Sequence, residues 1–176
     1  MPAAKSDSNL TLITGQRSET RQRMFALLID TALHEPVRVL LGGNHFPVYE
    51  INYALAAQTR DYHALLQEGI TLSRAETGYQ IVELLRQTES APTVTLASDL
   101  LTPLMDEGLN EKEAGELLFE SILELRRLAK VGKVYVSAHA PQPRPHLLLA
   151  LTRAAGTVWQ IEPITASTQP RQGKLA

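Results

Sequence analysis

The chain has 176 residues, 44% apolar and 20% charged, which is enough for one domain with a buried core and excludes wholesale disorder. Seventeen Lys and Arg against nineteen Asp and Glu leave a formal charge of −2, which argues against a broadly basic nucleic-acid coat but leaves room for a local basic patch. Cysteine is absent, so disulfides, thiol nucleophiles and thiolate metal sites are excluded.

Residues 1–9, MPAAKSDSN, are polar and read as a flexible N-terminus. They lack the apolar core of a secretory signal, and no apolar run approaches the ~18 residues of a membrane span. A cytoplasmic protein with no membrane partner is therefore expected. The first strand is Leu10–Thr14, followed by Gly15 and a polar turn. A helix then covers Glu19 to Leu33, with Met24, Leu27, Leu28 and Ala32 spaced for one buried face and Pro36 beyond its end. Val37–Leu41 is the second strand, closed by Gly42-Gly43-Asn44. Residues 48–67 read as one helix, with Ile51, Leu55, Tyr62 and Leu66 to one side, before a third strand at Ile70–Ser73.

The helix Gly78–Thr88 offers Ile81, Leu84 and Leu85 to a core, and Thr93–Ala97 is the fourth strand. The longest helix, Glu111–Lys130, starts acidic and ends basic, as the helix dipole favours, and Asn110 is its N-cap. Its core stripe is Leu118, Ile122, Leu125 and Ala129. Lys133–Ala138 is the fifth strand, Pro145–Ala155 a short helix and Thr157–Ile161 the last strand. Strands alternating with helices predict an α/β fold of three layers, doubly wound, with a mostly parallel sheet. Residues 10–165 form a single domain, and 166–176 are a flexible tail. Ligands of such sheets bind beyond the strand C-terminal ends, which directs attention to the loops after Thr14, Leu41, Ser73, Ala97 and Ala138.

The turn after the first strand stands where a phosphate-binding P-loop would lie. In G-x-x-x-x-G-K-[ST], backbone N–H groups face the phosphates, Lys reaches the terminal phosphates and the hydroxyl binds Mg²⁺. Here the segment runs Gly15-Gln16-Arg17-Ser18-Glu19-Thr20-Arg21-Gln22. Gly15 matches, but Thr20 replaces the second Gly, Arg21 the Lys and Gln22 the hydroxyl residue. A Cβ at Thr20 restricts positive φ, and the planar guanidinium of Arg21 does not substitute for a compact ammonium. The plainer reading is a helix N-terminus capped by Ser18, with Arg17, Arg21 and Arg23 around it. An anion site for phosphate, sulfate or a nucleic-acid backbone lies between the two.

The order of local patterns over residues 10–140 resembles the ATPase core of the RecA-like recombinases, notably the archaeal and eukaryotic branch and its paralogs. Leu10–Arg23 is similar to their strand, P-loop and first helix. Val37–Tyr49, VRVLLGGNHFPVY, resembles the next strand and its glycine-phenylalanine turn, and Ile70–Leu85, ITLSRAETGYQIVELL, the third-strand segment. Val94–Glu107, VTLASDLLTPLMDE, resembles a Walker B strand with its terminal acid at Asp99.

The resemblance implies a P-loop NTPase, RecA-like fold and a nucleotide site at Gly15, Thr20, Arg21, Gln22 and Asp99, with ATP and Mg²⁺ as the family's ligands. The Lys and Ser/Thr positions fall on Arg21 and Gln22, and no carboxylate stands near Gly42-Gly43-Asn44 for the water-activating acid. Hydrolysis needs neutralised phosphates, placed Mg²⁺ and a positioned water. The expectation is a pseudo-ATPase: a non-catalytic subunit for DNA recombination or repair, partnered by a RecA-family paralog or by its own copies. An altered NTPase and an anion or small-molecule binder are the alternatives. Residues 139–146, HAPQPRPH, stand where a shortened DNA-binding loop would be, with Arg144 and His146 as contacts.

Other groupings carry less. His139 and His146 share a loop, but no carboxylate at ligand spacing completes a metal site. Asp106-Glu107 precede a helix, and Tyr49, Tyr53, Tyr62 and Tyr79 read as rims of the core. Ser137, His139 and Asp99 lack the nucleophile elbow of a hydrolase triad. Arg17 or Arg21 pairing with Asp99 would put side chains in the place of a nucleotide.

Overall fold

Alternation along the strands builds two cores. In a computed structural model describing residues 9–139 and 143–162, Leu10, Leu12, Leu40, Val134 and Val136 point to one face. Ile13, Val37, Val39, Val94 and Leu96 point to the other, as the period of two requires. The strands are β1 (Leu10–Gly15), β2 (Val37–Gly42), β3 (Ile70–Ala75), β4 (Val94–Ser98), β5 (Val134–Ala138) and β6 (Thr157–Ile161). They form one six-stranded sheet in the order β3-β2-β4-β5-β1-β6, and every pairing is parallel.

Helices cover both faces, giving the three layers of an α/β fold. Helices α1 (Arg17–Ala32) and α2 (Val48–Gln58) bury Met24, Leu28, Ile51 and Leu55 on the Ile13 face. A short α3 (Tyr62–Ala64) follows. Helices α4 (Gly78–Gln87), α5 (Glu111–Ala129) and α6 (Pro145–Ala154) bury Ile81, Leu85, Leu118, Ile122, Leu125 and Leu151 on the opposite face. Asn110 caps α5 in a capping box with Glu113, and Thr77 caps α4 with Gln80 in the same way. No helix among the described residues is long and apolar enough to cross a membrane.

The expected single helix over 48–67 is broken. Thr59 is extended at φ −149° and ψ 151°, and its hydroxyl accepts from the Asp61 N–H, so a side chain replaces the next helical bond. After α3 a π-helical turn, Leu65–Gly69, feeds straight into β3. The N-terminal end also differs, because Asn9 is anchored. Its side-chain amide donates to the Ala129 carbonyl at 3.0 Å, and its own carbonyl accepts from Val134 N–H at 2.8 Å. The rest of the expected flexible ends, 1–8 and 166–176, lies outside the described residues. So do 140–142 of the loop before α6.

Candidate functional site

The site lies at the C-terminal ends of β1, β5 and β4. The expected polar turn after β1 is not a loop. α1 begins at Arg17, directly after its N-cap Gln16, which makes no side-chain cap. Ser18 is therefore inside the helix, where its hydroxyl donates to Glu19 at 2.7 Å instead of capping. Thr20 is fully buried and donates back to the Arg17 carbonyl at 3.0 Å, while Gln22 is exposed. Gly15 sits at φ +152°, and a Cβ there would collide with the Ile161 carbonyl of β6. The glycine that matches the P-loop pattern is needed for the close approach of a neighbouring strand.

Arg21 lies on the second turn of α1 and reaches across to Asp99 at the end of β4. Its Nε and Nη2 both donate to the same oxygen, Asp99 Oδ2, at 3.1 and 2.9 Å. The arginine side chain is 31% exposed and the aspartate 3%. Asp99 is the one described non-glycine residue with positive φ, at +53°, a conformation that Asp tolerates better than most side chains. Ser137 of β5 fixes the turn: its hydroxyl accepts from Asp99 N–H at 2.9 Å, and its carbonyl accepts from Leu100 N–H at 3.1 Å. Gly42 closes the other side, where a Cβ would overlap the Asp99 carbonyl. Asp99 Oδ1 is buried and has no partner among the described residues.

Beside this pair, Arg17 donates through Nε and Nη2 to His139 Nε2, at 3.3 and 2.8 Å. An imidazole accepting at Nε2 is neutral and carries its proton on Nδ1. Burial, then the Arg17 charge, hold His139 below the usual imidazole range, against the opposing pull of Asp99. Ser137, His139 and Asp99 thus share a corner, but Ser137 serves a backbone N–H and His139 serves Arg17. No nucleophile–base hydrogen bond joins them.

A cleft of about 40 Å³ opens next to the ion pair, between α1 and the chain leading into α2. Met24, Leu28, Val39 and Phe46 contribute apolar walls, and Arg21, Asp99 and Ser137 the polar end. Water needs roughly 10–15 Å³ of such space, whereas drug-sized ligands fill pockets of roughly 300–1,000 Å³. The arrangement does not fit a Mg²⁺–nucleoside triphosphate. The turn after β1 is already helical from Arg17, with no glycine loop to wrap phosphates, and Arg21 and Asp99 neutralise each other.

The expected DNA contacts separate. Arg144 is 7% exposed and acts inside the fold. Its Nε donates to Glu111 at 3.0 Å, Nη1 to the Leu104 and Asp106 carbonyls, and Nη2 to the Leu109 carbonyl. All three of its nitrogens are thus engaged within the fold. His146 is exposed and faces Glu111 at 3.2 Å. No group of three or more metal-ligating side chains occurs among the described residues. Tyr49, Tyr53 and Tyr79 are exposed, and of the four only Tyr62 packs against the core.

Nothing local in the sequence marks Arg17 as the partner of His139, Ser137 as the anchor of Asp99, or Phe46 as a cleft wall. Each contact joins residues far apart in the chain. No protein-family model matches the chain, and no curated protein matches it.

Proposed function

We propose that the chain is a non-catalytic RecA-like domain, a structural or partner-binding subunit linked to DNA recombination or repair. The observation that carries the reading is the Arg21–Asp99 ion pair. By the resemblance, these positions belong to the P-loop lysine and the Walker B acid, which in an active site act on nucleotide and metal. Here each is the other's partner. The parallel sheet, with Asp99 just past the end of β4 and Arg21 on the helix that follows β1, supports the same reading, and so does the helical turn where a phosphate loop would stand. With Asp99 as its partner, Arg21 is not free to meet the charge that develops in phosphoryl transfer. A subunit of this kind works through its surface, and its partner would be a RecA-family paralog or a second copy of itself.

The test is a titration with a fluorescent ATP analogue, with and without Mg²⁺, on the natural chain and on Arg21→Ala. No saturable binding at near-millimolar nucleotide is the expected result. Mg²⁺-dependent binding that Arg21→Ala weakens tenfold, about 1.4 kcal/mol, would overturn the reading in favour of an altered NTPase. Sedimentation alone and with an active RecA-family protein tests the partner half. A monomer that ignores that protein counts against it.

A further inference from the structure

Helix α5 has two faces, and the core uses one. Ala114, Leu118, Ser121, Ile122 and Leu125 are buried beneath it. On the opposite side, Lys112, Glu116, Phe119, Leu123, Arg126 and Lys130 follow one another at alternating steps of four and three residues. That spacing draws a narrow, straight seam along a helix, the kind used where two helices pack lengthwise. Phe119 and Leu123 lie one turn apart at its middle and are 62% and 48% exposed. A single exposed apolar side chain is ordinary, but an aromatic and a leucine paired on such a seam and framed by charges have the make-up of an interface centre with a polar rim.

We infer that this seam pairs with the same seam of a second copy of the chain, antiparallel about a two-fold axis beside Ser121. The charges select both the occupant and the direction. The seam carries an acid before its apolar centre, at Glu116, and a base after it, at Arg126. Antiparallel packing sets Phe119 level with Leu123 of the second copy and Glu116 level with its Arg126, and the symmetry repeats both contacts. Parallel packing would instead oppose Glu116 to Glu116 and Arg126 to Arg126. Both side chains are within reach of a partner. Glu116 meets Lys112 in an exposed contact at 3.8 Å, and Arg126, also exposed, donates Nη2 to the Ala154 carbonyl at 3.3 Å. Glu120, which flanks the axis and would face its own counterpart, is already paired with Arg86 of α4. Lys112 and Lys130 of the second copy oppose each other only at the ends of the seam, where solvent screens them. One helix pair makes an interface at the small end for specific complexes, so the dimer is weak and reversible.

The inference names a face for the second-copy option of the proposed function and does not depend on the nucleotide site. Sedimentation equilibrium of the full chain from about 5 µM to about 1 mM, a range that brackets weak association, is expected to show a reversible monomer–dimer equilibrium. Phe119→Asp is expected to weaken it about tenfold or more. Glu116→Arg and Arg126→Glu each place like charges across the axis twice, and each alone is expected to weaken it about tenfold. Mixed in equal amounts, these two variants regain both opposite-charge contacts in a heterodimer, and the mixture is expected to associate within about threefold of the natural chain. A cooperative melt of each variant separates loss of the dimer from loss of the fold. A natural chain monomeric throughout the range, a dimer indifferent to Phe119→Asp, or a mixture no tighter than its components would overturn the inference. A monomer that still binds an active RecA-family protein would overturn it and leave the proposed function standing, whereas Mg²⁺-dependent nucleotide binding by an intact α5 dimer would do the reverse.

Discussion

Arg144 and Arg21 are both offered by the sequence as ligand contacts, and the fold uses them in opposite ways. Arg144 is almost sealed and spreads its donors over the Leu104, Asp106 and Leu109 carbonyls and Glu111, tying the turn after β4 to the start of α6. Arg21 remains a third exposed and gives both donors to a single oxygen of Asp99. The first arginine holds backbone together, and its loss leaves carbonyls stranded. The second neutralises one buried carboxylate. An arginine shared among carbonyls ties several backbone segments at once, whereas one closed on a lone carboxylate ties a single pair.

The comparison breaks if the two substitutions cost the same. Arg144→Ala is expected to destabilise by about 3–5 kcal/mol, because buried carbonyls and Glu111 lose their donor together. Arg21→Ala should cost about 2 kcal/mol, since the remaining exposure of the side chain screens its pair with Asp99. Urea denaturation of both variants decides the order.

Asp99 sharpens the contrast further. Asp99→Ala removes the acceptor of Arg21 and places a β-carbon with no compensating contacts at φ +53°, whereas Asp99→Gly removes the acceptor alone. The glycine variant is expected to be the more stable of the two by about 1 kcal/mol in the same denaturation series.

The neighbouring Arg17–His139 contact adds a pH dependence. Folding holds the His139 pKa below 6.5, so the unfolded chain takes up a proton that the folded one resists. Its contribution to stability is complete above about pH 6.5 and is lost as the pH falls from there toward the folded pKa. Melting temperatures measured across this range should flatten in His139→Asn relative to the natural chain. The smallest effect belongs to Arg23, whose guanidinium lies 5.1 Å from the Trp159 ring. Arg23→Ala should cost about 0.5 kcal/mol and shift the emission of Trp159, the chain's single tryptophan.

The regular elements were legible because their signals are local. Short β-branched runs placed β2 at Val37 and β6 at Thr157–Ile161, and Asn110 as N-cap located the start of α5. The break at Thr59 was missed because the apolar period runs on through Tyr62 and Leu66, while the interruption comes from one hydroxyl bonding two residues ahead. At the site, sequence placed Arg21 and Asp99 in register with a nucleotide-binding pattern and left their pairing as one option among several. The choice depended on α1 starting immediately after Gln16, which carries Arg21 around the helix toward β4. Arg144 was unreadable as a buried residue. Its proline-rich surroundings signal a loop, and the carbonyls it satisfies come from a turn more than thirty residues earlier.

The strand order also bears on how the chain assembles. β1, first in sequence, hydrogen-bonds only to β5 and β6, which are last. During synthesis it therefore waits, apolar and unpaired, until nearly the whole domain has been made. Closing so long a loop is entropically slow, and contacts this distant in sequence retard folding. β2, β3 and β4 can pair among themselves first, and the corner carrying Arg17 and Arg21 then arrives late. The Arg21–Asp99 contact thus joins an early-forming half of the sheet to the strand that completes it. A chain ending before Val134 would have the carboxylate and the arginine but no neighbouring strand to hold β1 in the sheet.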